Sequence, residues 1–91
     1  MAPEEEVVRA GEAARVLDSR IFREAKDRIL SGIQAQMRTV PLADQTMHTR
    51  LILLLQCWQS IEGYLEQVKE TGKLAEFQIE EERKRRRFWS V

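Results

Sequence analysis

Residues 47–68, MHTRLILLLQCWQSIEGYLEQV, carry apolar side chains at Met47, Leu51, Leu54, Trp58, Ile61, Leu65 and Val68, in alternating steps of four and three. That alternation is the spacing of a helix laid along another helix at slight inclination. Leu51, Ile52, Leu53, Leu54 and Leu55 make the middle of this helix apolar on every side, so it requires more than one neighbour. The spacing predicts a central helix with Leu54 at the centre of its seam, where an unpaired Asp is expected to unfold the domain.

The rest of the chain limits what surrounds that helix. Its 91 residues make one small domain at most, a size at which only about three-fifths of the unfolded surface is buried. Self-association or a partner would add the missing burial. Hydrophobic residues at 43% and charged residues at 33% suit a soluble helical protein, and no apolar run reaches the ~18 residues that span a bilayer. The acidic start through Glu6 does not resemble a secretory signal, so a cytoplasmic location is expected. Cys57, the single cysteine, excludes a disulfide within the chain and a cysteine-rich metal site, and beside Trp58 it reads as a buried, inert thiol.

Pro3 with Glu4, Glu5 and Glu6 reads as a helix start, since proline suits the first turn and carboxylates there complement the exposed amides. Val7, Ala10, Ala14 and Leu17 then form a narrow stripe of mainly small residues, and Gly11 weakens this first helix, assigned to residues 1–17. Asp18 and Ser19 are good N-caps and mark a boundary. A second helix follows with Phe22, Ala25, Ile29, Leu30, Ile33, Met37 and Val40 at helical spacing, ended by Pro41. The short connection after it makes the second and third helices antiparallel neighbours. Asp44 or Pro41 begins the third helix, and Thr71-Gly72 reads as its stop, although Gly72, Ala75 and Ile79 also continue the seam register. The expected fold class is all-α: an antiparallel helical hairpin or three-helix unit with a long central helix, its hairpin core at residues 18–72 and a charged helical tail with an aromatic end at 73–91.

The tail sets Glu80, Glu81 and Glu82 four residues ahead of Lys84, Arg85 and Arg86, the favourable order for ion pairs on a helix. Phe88 and Trp89 follow the basic run. Arg83, Lys84, Arg85, Arg86, Arg87, Phe88 and Trp89 are therefore the candidate partner-binding residues, for a protein pocket or, as the alternative, for nucleic acid. Leu51, Ile52 and Leu55 are the candidate contacts between subunits of a homo-oligomer. His48, the only histidine, has no partners placed for catalysis or metal binding. With no glycine-rich phosphate loop, no paired carboxylate motif and no nucleophile beside a base, no catalytic residue, metal or cofactor is expected.

Leu17-Asp18 with Phe22, the apolar helix around residues 51–55, and Thr71-Gly72-Lys73-Leu74-Ala75 together resemble small helical proteins of tailed bacteriophages and prophages, over about residues 15–82. The resemblance implies a protein without assigned chemistry, made in the cytoplasm of a bacterial host and carried into a particle. It transfers no site residues, and the basic-aromatic end lies outside it. The expected function is that of a small non-enzymatic structural or interaction protein, an accessory of a phage virion or its assembly acting through helix–helix contacts. The alternative is a nucleic-acid-binding accessory that uses the basic-aromatic C-terminus.

Overall fold

The computed structural model describes residues 1–89 and contains three α-helices: α1 (Pro3–Asp18), α2 (Arg20–Thr39) and α3 (Gln45–Trp89). No strand occurs among the described residues, so the all-α class holds. Pro3 opens α1 with Glu4, Glu5 and Glu6 in the first turn, where carboxylates favour the amide end of the helix. Ser19 separates α1 from α2. Its backbone is extended and its hydroxyl accepts the Phe22 N–H at 3.4 Å, satisfying one of the unpaired donors of a helix start. At the other end Val40 is extended ahead of Pro41, as the proline ring demands. Asp44 then accepts the Met47 N–H at 3.1 Å and caps α3, which starts at Gln45.

The helix stop expected at Thr71-Gly72 is absent. A terminal glycine stop needs a left-handed residue, and no described residue has that conformation. Thr71 instead donates its hydroxyl to the Gln67 carbonyl at 2.9 Å within an uninterrupted α3. Gly72 serves another purpose. It is buried, and a Cβ built on it would run into the Ala10 side chain and lie 3.1 Å from the Glu6 carbonyl oxygen. Glycine is thus required by the approach of α1.

The chain divides into two compact units, one formed by residues 1–16 with α3 from Tyr64 onward, the other by residues 17–63. In the first unit, Ala13 and Ala75 are buried beside the Ala10–Gly72 contact. Small residues let the helix backbones come close, so α1, weak by propensity, is held by close packing. In the second unit, α2 buries Ile33 and half-buries Phe22, Lys26, Leu30 and Met37, while α3 buries Leu51 and half-buries His48, Leu55, Trp58 and Glu62. This row differs from the expected seam. Leu54 and Ile61 are 56% and 51% exposed, and their neighbours Leu55 and Glu62 take the inward positions. The helix is turned by about 50° from the expectation, half the 100° that one residue subtends.

Glycine positions separate helix propensity from packing. Gly63 has nothing within 4 Å of where a Cβ would stand, so Gly63→Ala should stabilise the protein by about 0.5–1 kcal/mol. Gly72→Ala gains the same propensity but must push α1 away, and we expect a net loss of stability. Thermal denaturation of the two variants checks this, with melting points moving in opposite directions.

Candidate interaction surfaces

The turn of α3 is fixed by four side chains. The rings of Phe22 and Trp58 stack at 5.5 Å with 27° between their planes. Trp58 Nε1 donates to Glu62 Oε1 at 3.0 Å, and Lys26 Nζ donates to Glu62 Oε2 at 2.7 Å. Both carboxylate oxygens of Glu62 are thereby engaged, which is what lets a carboxylate occupy a half-buried position. Its side chain and that of Lys26 keep 26% and 35% of their exposure. The ion pair is accordingly worth about 1 kcal/mol at most, and its larger effect is on which face of α3 points inward.

With α3 turned this way, its charge-free segment is only partly covered. No Asp, Glu, Lys or Arg occurs from Leu51 to Ile61, yet Leu51 alone in that segment is fully buried. Leu54, Cys57 and Ile61, each one residue before an inward position, are exposed. On α2 the equivalent positions are Ile21, Ala25, Ile29 and Gly32, and they are exposed too. Positions one residue after the inward rows are different in kind: Arg23, Asp27, Ser31, Gln34 and Arg38 on α2, Ile52, Gln56 and Gln59 on α3. The preceding rows are apolar from Ile21 to Gly32 and from Leu54 to Ile61, with Gln36 and Arg50 ending them toward the connection at residues 40–44, and the following rows are mainly polar. Sequence spacing alone missed the apolar row because it placed Leu54 and Ile61 in the seam; the missing signal was the engaged carboxylate at Glu62.

Of the residues assigned to subunit contact, Leu51 and Leu55 lie in the inward row and Ile52 is exposed among glutamines. Cys57 is exposed, which corrects the expectation of a buried thiol. His48 Nε2 donates to the Pro41 carbonyl at 3.2 Å, and no group of three or more His, Cys, Asp or Glu among the described residues is arranged to hold a metal. No described helix is both long and apolar enough to cross a membrane.

Residues 83–89 extend α3 with every side chain exposed, Phe88 by 83% and Trp89 by 80%. Of the three expected acid–base pairs only Glu82–Arg86 forms, at 3.4 Å; Glu80 pairs with Arg83 at 3.7 Å and Glu81 with Lys84 at 4.0 Å. Three- and four-residue spacings are both neighbours on a helix, and such surface pairs contribute little. Five successive basic residues also span more than a full turn, so they surround the helix and do not form one basic face. In the same unit an open groove of about 640 Å³ is lined by Val7, Phe77 and Ile79 with Glu4, Glu76, Glu80, Lys73 and Arg83. Its mixed charge favours neither an anion nor a cation.

Comparison with protein-family models, with curated proteins and with solved structures gives no match to this chain.

Leu51 and Leu54 separate the inward row from the exposed one. Leu51 is 1% exposed, so Leu51→Asp should unfold the protein at a cost of several kcal/mol. Leu54→Asp should keep the helical circular dichroism of the parent, contrary to the expectation from spacing alone. Equal loss of helicity in both variants would return Leu54 to the core.

Proposed function

We propose that this chain is a non-enzymatic interaction protein that acts as a homo-oligomer of helical hairpins. In this reading α2 and the first part of α3 form an antiparallel hairpin, because the connection at residues 40–44 is short. In two helices running in opposite directions, the rows just before the inward rows fall on one side of the pair and the rows just after fall on the other. One side then carries Ile21, Ala25, Ile29, Gly32, Leu54, Cys57 and Ile61, with Gln36 and Arg50 at its end near the connection, and the other carries Arg23, Asp27, Ser31, Gln34, Arg38, Ile52, Gln56 and Gln59.

That one-sidedness is the observation that carries the proposal. A solvated hairpin has no reason to gather its exposed large apolar residues on one side, with its single charge at the edge, whereas a hairpin that docks does. Joining two such sides completes a four-helix core. Assembly of a phage particle is the setting that the sequence resemblance supplies for this role. The nucleic-acid alternative is weaker, because the bases of residues 83–87 encircle the helix and Arg83, Lys84 and Arg86 are already paired with Glu80, Glu81 and Glu82. Phe88 and Trp89 stay available as an anchor for a further protein.

Sedimentation equilibrium at tens of micromolar should give a multiple of the 10.7 kDa chain mass, and a strictly monomeric mass would refute the proposal. Removing residues 88–91 should leave that mass and the helicity unchanged. Loss of self-association on truncation would move the subunit contact to the tail.

A further inference from the structure

The apolar side of residues 17–63 alternates large and small residues along each helix: Ile21, Ala25, Ile29 and Gly32 on α2, and Leu54, Cys57 and Ile61 on α3. On α3 the projecting side chains are Leu54 and Ile61, seven residues apart; on α2 the gaps are Ala25 and Gly32, also seven residues apart. Gly32 has nothing within 4 Å of where a Cβ would stand, so this gap is open in the single chain. Both intervals are about 10.5 Å along a helix. One face therefore carries two projections and two gaps of matching spacing, which is the condition for pairing with itself.

The level of the two helices makes that match usable. In the antiparallel hairpin the contacts Phe22–Trp58 and Lys26–Glu62 reach across levels in opposite senses, and their mean puts Ala25 level with Ile61 and Gly32 level with Leu54 to within about two residues, or ~3 Å. A two-fold axis parallel to the helices preserves those levels in a second copy. It brings α3 of one chain opposite α2 of the other, running in the opposite direction.

We infer that the occupant of this face is a second copy of the chain, with Leu54 seated over Gly32 and Ile61 over Ala25 of that copy, twice by symmetry. This rests on the self-association proposed above. The absence of Asp, Glu, Lys and Arg from residues 51–61 leaves no like charges to oppose each other across the axis. Ile21, Ile29, Leu54 and Ile61 with the smaller Ala25, Gly32 and Cys57, all exposed in the single chain, supply on the order of 500 Å² per copy, which reaches the ~1,000 Å² total of a specific interface. In this register Cys57, midway between Leu54 and Ile61, faces Ile29, midway between Ala25 and Gly32.

Two chains with one cysteine each test the register without any disulfide inside a chain. One is the natural protein with Cys57; the other carries Ile29→Cys together with Cys57→Ser. Mixed, allowed to exchange subunits and oxidised, they should give mainly the crossed disulfide dimer, at least tenfold above the disulfide dimers that each chain forms alone. If the natural chain alone cross-links as fast as the mixture, α3 faces α3 and the inference is overturned. If no arm cross-links although the natural protein sediments as an oligomer, the face is wrong while the self-association stands. If the natural protein is a monomer, both fail together. As an independent check Gly32→Leu, which fills the gap, should weaken dimerisation at least tenfold with helicity retained; unchanged dimerisation would overturn the seating of Leu54.

Discussion

A helix packed against a single neighbour can bury only a stripe of its circumference, and the segment from Leu51 to Ile61 carries more apolar surface than one stripe. α2 takes Leu51 and part of Leu55 and Trp58. Leu53, Leu54 and Ile61 are left outside, at a position in the sequence where no charged residue offsets their exposure. At about 25 cal/mol per Å², covering a few hundred Å² of such surface is worth several kcal/mol, comparable to the whole stability of a small domain. The fold of one chain therefore leaves exposed an apolar surface whose burial would matter on the scale of the chain's net stability.

The two compact units are held by different physics. Residues 1–16 meet α3 through Ala10, Ala13, Gly72 and Ala75, where little side-chain volume intervenes and contact is nearly backbone to backbone. Such packing gains dispersion contacts with little loss of side-chain freedom, but it tolerates no added methyl group. Residues 17–63 are held by long side chains, with the Phe22–Trp58 stack and the Lys26–Glu62–Trp58 hydrogen bonds at one end and Ile33 and Leu51 as the buried residues. Here the polar contacts set the rotation of α3, and that rotation decides which leucines stay exposed.

Helix boundaries were the most legible part of the sequence. Pro3, Ser19, Pro41 and Asp44 each act through local backbone chemistry that needs no tertiary context, and each does so where expected. Gly72 was not legible in the same way, since Thr-Gly can end a helix or admit a neighbour. What resolves it is the run of small residues in α1, whose packing partner is distant in sequence. The seam register failed for a related reason. Counting apolar residues favours Leu54 and Ile61, and only the contacts of Glu62 with Lys26 and Trp58 make the adjacent row the inward one. The exposed thiol of Cys57 follows from that same displacement, because it precedes the inward Trp58. The candidate surface was thus visible as an excess of leucine, while its side and its members depended on one ion pair.

The proposed cover of the exposed apolar side of residues 17–63 is a second copy of the chain, and Cys57 reports on that side directly. Its reaction with a neutral, water-soluble thiol reagent should be slow at tens of micromolar protein and accelerate at least tenfold on dilution to submicromolar concentration, as the face opens. A thiol that reacts equally fast at every protein concentration would show that the face is never covered, and would contradict the account.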